Sequence, residues 1–521
     1  MTSTRKLSQR AVGHRRRRTT HVDEARSTAS GDGSAAATVR GMFGRDSIYL
    51  SLWILQLGLA ALFTPVTTRL LGPARFGLVA SSIAIMMVLV AIGSLSLQSA
   101  VQRRYATSGG ERDARRLVTL AIAISMVTFA LADFTGPVWS SALGLGPYPP
   151  AVRFAVGWAS MTAISNAALG LLRSRDQLIP FATVSLMQSV VAEALSLTLV
   201  LLVRRTAAEY VLGQFIAQAA AVTVALAVTR PLRLRGRDLG TAGDALWFAI
   251  PLVPAALAAF VLDASDRLVL QHDLGSAAVA RYAVARNIGA IPILILSALN
   301  TVWMPRVFAL GDARVRESVL VRSRDALYAL LIPVIIGLGI GAPIMLRIWA
   351  PPSYRPDSLV GVVAIIATTS IAYAGGLSHI RTLLAEGRTL PVAVSTLATA
   401  AINVSLNIAA VPVLGIYGAA LATLVSYIAL QALLAAAVGR KARLRAPQCA
   451  LVGGLMAAVA IAFLASRLPM SPAFIGIRVV GGMGCLVVFA AMTSALAGSR
   501  ASPRMRRIGE PMISKLVLAS G

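Results

Sequence analysis

Among the ionisable side chains inside or at the edge of long apolar runs, six could do chemistry: Arg69, Glu193, Asp263, Asp266, Arg267 and Arg286. An uncompensated charge in the middle of a membrane helix costs at least ~2.5 to 3.5 kcal/mol, so each is a candidate for function. Glu193 lies near the middle of its run, with no Lys or Arg within reach on its own helix. A carboxyl in a low-dielectric medium favours its protonated form, which suits proton or sodium exchange. A neutral Glu that hydrogen-bonds across helices is the structural alternative. Arg286 lies about 9 Å into its run, and its planar fork suits two parallel hydrogen bonds to a phosphate. An ion pair with Asp263 or Asp266 is its structural alternative. Asp263 and Arg267 are four apart and share a helix face, where they are expected to pair; Asp266, beside Arg267, points elsewhere. Arg69 ends a run, where snorkelling to the interface competes with ligand contact. Arg267 and Arg286 are the basic residues that the runs place away from a loop; the rest fall to tails and loops. Asn166, Asn300, Asn403 and Asn407 read as helix packing.

The elements that hold these residues follow from hydropathy. The chain is 57% hydrophobic and only 13% charged, with a mean hydropathy of +0.74; a soluble domain carries about a quarter charged residues. Apolar runs fall at 46–70, 77–101, 117–136, 151–172, 178–203, 207–229, 245–271, 280–304, 325–348, 358–380, 389–413, 415–438, 446–466 and 474–497. Each matches the ~30 Å hydrocarbon core at ~1.5 Å rise per residue, and all are too long for barrel strands. The expected fold is an all-α integral membrane protein of about 14 transmembrane helices.

The net charge of +28 is spread over short loops, without the basic face and interleaved aromatics that nucleic acid requires. With the N-terminus inside, the loops after even-numbered spans carry about 22 Lys/Arg and the others about 10, which orients the chain with both termini cytoplasmic. Clusters at Arg103 to Arg116, Arg230 to Arg237, Arg306 to Arg324 and Arg440 to Arg445 serve that bias. Residues 1–45, with the run Arg15 to Arg18, read as a disordered cytoplasmic tail, solvated or resting on anionic membrane lipid, and Met42 is an alternative start. The first apolar run is too long for a cleavable signal peptide. Cys449 and Cys485 sit in apolar runs as small hydrophobes, and no cofactor or metal site is expected. Gly109 and Gly110 lack the Lys and Ser/Thr of a phosphate-binding loop. No loop exceeds about twenty residues, which leaves no room for a catalytic or nucleotide-binding domain. The scarcity of lysine, with only Lys6, Lys441 and Lys515, fits a GC-rich bacterial genome.

The chain also compares with itself. Leu71-Gly72-Pro73-Ala74 and Gly77 align at an offset near 203 with Leu274-Gly275-Ser276-Ala277 and Ala280, and Pro180 aligns with Pro391. Six spans return the chain to its starting side, so spans one to six (46–229) and seven to twelve (245–438) form two parallel lobes. A basic linker (230–244) joins them, and a helix pair (446–497) and a C-tail (498–521) follow. Parallel repeats of this kind hold substrate between the lobes.

Three segments carry a family resemblance. Thr68 to Gly77, then Asp266-Arg267-Leu268-Val269-Leu270 with Leu274-Gly275 and Arg281 to Ala285, and Asn403 to Asn407 followed by Pro412, Gly415 and Gly418-Ala419-Ala420, occur in the order found in the polysaccharide transporter family. That family belongs to the multidrug/oligosaccharidyl-lipid/polysaccharide exporter (MOP) superfamily. Ala280 departs from its usual glycine. The resemblance implies a two-lobed cavity that opens alternately to each side and a flippase acting on lipid-linked oligosaccharide, with the polyprenyl tail left in lipid. On that basis Arg286, Arg267, Arg69 and Asp266 are expected at the headgroup and Glu193 and Asp263 at a coupling proton or sodium, with other polysaccharide biosynthesis proteins as partners. A lipid II flippase and a drug/cation antiporter stand as rivals within the superfamily, and a membrane glycosyltransferase or polymerase as one outside it.

Overall fold

The computed structural model describes residues 63–106, 110–235, 238–308, 313–439, 446–468 and 471–496. The expected basic tail, most of the first apolar run, the 440–445 cluster and the C-tail lie outside them. Among the described residues there are only helices and turns, and 12 helices are long and apolar enough to cross a membrane, or up to 13 if a bent pair counts as one span. The fourteenth expected span, 46–70, falls mainly outside the described residues.

The N-lobe comprises α1 (Phe63–Ser94), α2 (Leu97–Ala106), α3 (Gly110–Phe134), the short α4 (Gly136–Ala142), α5 (Pro150–Ser174), α6 (Leu178–Leu186), α7 (Ala192–Leu202) and α8 (Ala207–Thr229). A π-turn, Met187–Val191, joins α6 to α7 within one span. Its core is small-residue packing, with α5 set between α3 and α8. Close approach through alanine, glycine and serine is how membrane helices associate when lipid removes the hydrophobic drive.

α9 (Leu239–Ala249) leads through a 3-10 turn into α10 (Val253–Leu274). The C-lobe continues with α11 (Ser276–Gly289), α12 (Ile291–Phe308), α13 (Ala313–Trp349), α14 (Val360–Ala385), α15 (Leu390–Leu414) and α16 (Ile416–Val438). α17 (Cys449–Ser466) and α18 (Pro472–Leu496) pack on α13. Two departures from expectation matter. The eighth span, expected as one run over 280–304, is broken into α11 and α12 with a bend of 48°. The basic segment 306–324 was expected as a loop, yet α13 runs from Ala313 through it, because charges stop a helix from being apolar but not from being helical.

The repeat is visible in the backbone. Gly72 (φ +69°), within α1, and Gly275 (φ +76°), between α10 and α11, stand at corresponding positions of the repeat, and both have the positive φ that glycine tolerates. Farther along α1, Gly77 lies so close to Ser276 that a Cβ would overlap its carbonyl.

Candidate functional site

The corner at Gly275 folds α11 back against α10, which brings two helical patterns face to face. Asp263 and Asp266 are three apart on α10, while Tyr282 and Arg286 are four apart on α11, so each pair shares a face. The Asp266 carboxylate accepts from Tyr282 Oη at 2.6 Å and from the Arg267 backbone N–H at 2.7 Å. Arg286 Nε lies 3.4 Å from Asp266, and Arg286 Nη2 donates to Asp263. Asp266 is 1% exposed as a side chain and Asp263 40%, so the group is sealed on one side and open on the other.

One expectation changes here. Asp263 pairs with Arg286 across the helix boundary, not with Arg267 along its own helix. An i,i+4 pair contributes only ~0.3 to 0.5 kcal/mol, whereas Arg286 is held by two carboxylates and a buried phenol alongside. Arg267 is buried, has no ion pair among the described residues, and leaves its Nε without a hydrogen-bond partner. Summed over Asp263, Asp266, Arg267 and Arg286, the group is electrically neutral.

A polar seam continues from α10 into α15 and α16. Ser265 Oγ donates to Asn403 Oδ1 at 2.7 Å, Asn403 Nδ2 to Ser426 Oγ at 3.1 Å, and Asn407 Nδ2 to the Asn403 carbonyl at 2.9 Å. Both asparagines are fully buried, in keeping with a packing role.

In the N-lobe, Glu193 lies in the first turn of α7, immediately after the π-turn, which rotates it towards α8. Its carboxylate accepts from Tyr210 Oη at 2.8 Å and from Gln214 Nε2 at 2.7 Å. Tyr210 and Gln214 are four apart on α8, one turn of a single face. This is an interhelical hydrogen-bonded acid without an ion pair among the described residues.

Arg69 and Gln271 belong to a third feature, a latch between the lobes at the end that carries Gly72 and Gly275. The Gln271 side-chain carbonyl accepts from Ser81 Oγ and from Ser276 Oγ, both at 2.9 Å, and Gln271 Nε2 donates to the Gly144 carbonyl at 3.2 Å. Thr68 Oγ1 donates to the Trp349 carbonyl at 2.6 Å and Arg69 Nη2 to the Ile348 carbonyl at 2.8 Å. Phe76 packs edge-on against Tyr354 at 6.3 Å. A single apolar cluster containing Leu71, Val79, Leu270, Val279, Tyr282 and Leu346 closes this end. Arg69 therefore bonds to backbone carbonyls, its own helix's Pro65 included.

Two buried arginines were not singled out in the sequence: Arg381 falls one residue past the run 358–380, and Arg478 lies just inside the run 474–497. Arg381 lies within α14 and is 0% exposed; its Nε donates to Asn300 at 2.7 Å, its Nη1 to Ser323 at 3.3 Å, and Trp303 faces it at 5.5 Å. Arg478, on α18, donates to the carbonyls of Ile340, Ala465 and Leu468 at 2.8 to 2.9 Å. Both lie close to a span end, and hydropathy alone does not separate a buried guanidinium there from a solvated one. Cys449 and Cys485 are free thiols, and Cys449 is exposed where burial was expected.

Known proteins match this architecture. A family model described as "Polysaccharide biosynthesis protein" matches residues 43–310. No curated protein matches the chain by sequence search. Among solved structures, the lipid II flippase MurJ in an inward closed conformation is similar over 87% of this chain and 100% of its own, with a TM-score of 0.66 and 14% identity. An outward-facing multidrug resistance MATE family transporter of the MOP superfamily is similar over 80% of this chain and 95% of its own, with a TM-score of 0.53 and 14% identity. An inward-facing one gives 79% and 95%, with a TM-score of 0.52 and 13% identity. The chain shares the fold of these proteins, and 12 of its described helices are long and apolar enough to cross a membrane.

Proposed function

Since this chain belongs to the polysaccharide biosynthesis protein family, we propose that it flips a polyprenyl-diphosphate-linked oligosaccharide across the bacterial cytoplasmic membrane by alternating access. The lipid-linked sugar would serve cell-envelope or exopolysaccharide assembly, and no catalytic step or cofactor is involved. Both termini face the cytoplasm in this reading, and the latch at Gln271 closes the outer side. The lobes are 46–229 and 245–438, and the linker between them is cytoplasmic.

The observation that carries the reading is the half-open pairing of Arg286 with Asp263. A diphosphate entering a low-dielectric cavity needs positive charge against the cost of desolvation. Arg286 is held ready by buried Asp266 and capped by an accessible carboxylate. When Asp263 takes up a proton, its hold on Arg286 falls and the fork is free for the headgroup. Proton uptake and substrate binding are thereby coupled at one residue, with Glu193 as a second acid in the other lobe. Tyr282 fixes Asp266, and Arg267 adds a buried positive charge nearby.

An exposed Asp263 in a neutral group also suits an organic cation, which is the observation that favours a drug/cation antiporter. Deleting the gene separates the two. Flipping of lipid-linked saccharide predicts its accumulation in the inner leaflet, hidden from an impermeant lectin outside intact spheroplasts. Undiminished lectin labelling together with increased sensitivity to cationic dyes would favour the antiporter.

A further inference from the structure

Outside the sites described so far, the ends of α2 and α9 enclose a cavity of about 660 Å³ lined by Arg103, Arg104, Asp244, Trp247, Phe248 and Pro251. It lies between the last turn of an N-lobe helix and the linker helix that leads into the C-lobe, at the end opposite the Gln271 latch. α9 is held there by Ala245, Phe248 and Ala249, which pack on Leu97, Ala100 and Val101.

The two arginines are not equivalent. Arg104 is pinned, with Nε 3.5 Å from Asp113 and Nη2 3.9 Å from Asp244, so its charge is offset. Arg103 has no carboxylate partner among the described residues, and its guanidinium carbon stands 4.3 Å from the centre of the Phe248 ring. An aromatic face holds a cation without using its N–H donors, so those donors remain for an anion. Trp247, one residue before Phe248, also lines the cavity and is 83% exposed. An exposed indole beside arginines at the end of an apolar helix suits the headgroup level of a bilayer, where one face meets acyl chain and the N–H meets water. Arginine fork, indole and the apolar edge at Pro251 together match a phosphate with a hydrocarbon chain attached; a soluble anion uses only the first.

We propose that this cavity is a docking site for the phosphate of a single-chain lipid headgroup at the inner leaflet, where an isoprenoid diphosphate is captured before it enters between the lobes. The proposal rests on the orientation and substrate class proposed above. Arg103 grips the phosphate, Phe248 sets the guanidinium, and Trp247 and Pro251 border the chain.

The test uses the full-length protein in nanodiscs of zwitterionic lipid, titrated with geranylgeranyl diphosphate and followed by calorimetry. Arg103→Ala should weaken binding about tenfold or more, since one charge-assisted fork is lost. Arg103→Lys should recover part of it, and Arg286→Ala should leave the Arg103-dependent component in place. Arg103 is exposed and outside the packed core, so its variants should keep their melting temperature. Inorganic pyrophosphate should bind much more weakly than the lipid; equal affinity with the same Arg103 dependence would overturn the lipid and leave a soluble phosphate site. Equal competition by phosphatidylglycerol would overturn the isoprenoid in favour of bulk phospholipid. Binding indifferent to Arg103 would overturn the site while leaving the flippase reading intact. Arg103-dependent binding by a protein that flips nothing would do the reverse.

Discussion

Ser81 of the N-lobe donates a hydrogen bond to the side-chain carbonyl of Gln271 of the C-lobe at 2.9 Å, inside a buried contact between the lobes. Gln271 also receives Ser276 and donates to Gly144, so one side chain joins three segments. Each neutral hydrogen bond contributes ~0.5 to 1.5 kcal/mol, which makes the three together comparable to the few kcal/mol that separate conformers of a transporter.

Gln271→Leu should therefore shift the protein towards opening at this end. A cysteine placed at Ala278, which is partly buried against the same apolar cluster and makes no latch hydrogen bond, should react with an impermeant maleimide from outside cells at least several-fold faster in the Gln271→Leu background. An unchanged rate would mean that the latch does not govern opening. Gly77→Val should have the same effect by steric means, since a side chain there meets the Ser276 backbone.

The charge group on α10 and α11 makes an ordered prediction about its two acids. Asp266 is sealed and satisfies Tyr282 and a backbone N–H, so Asp266→Ala breaks a buried network at ~3 to 5 kcal/mol and should lower the melting temperature strongly. Asp263 stands at the open edge, and Asp263→Asn should fold normally while binding the headgroup at least as well as the native protein. Thermal shift of the two purified variants checks the order; equal losses would contradict it.

Much of this arrangement is readable from the sequence. Hydropathy places the spans from the third onward, whereas the expected break at 71–76 lies inside α1 and the chain breaks instead before Leu97; the Leu71-Gly72 and Leu274-Gly275 repeat locates two glycines of positive φ. Asp266, Arg267 and Arg286 do come together, because their spacing puts them on facing helices joined by a short turn. The choice of partner is different: Asp263 turning to Arg286 instead of Arg267 depends on the packing distance between two helices, which no periodicity encodes. Arg381 and Arg478 escaped notice for a related reason, since each lies within a few residues of a helix end, and the packing around the helix decides whether that end meets water or protein. Gln271 carries no charge and lies at the edge of a span, so nothing in its sequence setting signals that it joins the lobes.

Arg478 supports a stability prediction for the C-terminal helix pair. Its fork caps the carbonyls of Ala465 and Leu468 at the end of α17 and also reaches Ile340 on α13. Arg478→Met should leave these acceptors without their donor and cost about 2 to 4 kcal/mol. Detergent-solubilised protein should then lose its monodisperse elution peak several degrees earlier on heating, with Arg478→Lys intermediate. Equal melting of all three would mean that lipid or water satisfies these carbonyls.

Glu193 is held by Tyr210 and Gln214 whether or not it moves a proton. Glu193→Gln preserves the shape and can still hydrogen-bond to Tyr210, so the fold should survive. If the acid contributes to coupling, this variant should flip substrate at a rate that no longer responds to an imposed pH or sodium gradient. A gradient response equal to that of the native protein would leave Glu193 with its interhelical role alone.

Reconstitution provides the decisive measurement. Proteoliposomes carrying a fluorescent polyprenyl-diphosphate oligosaccharide in both leaflets are treated with an impermeant quencher, and the fraction quenched is followed with time. Native protein should bring the inner-leaflet pool into reach of the quencher, and folded Arg286→Ala should slow this by tenfold or more, with Arg286→Lys restoring only part because lysine keeps the charge and loses the fork. Native protein that leaves half the label protected, or Arg286→Ala protein that flips at the native rate, would contradict a diphosphate carried past Arg286.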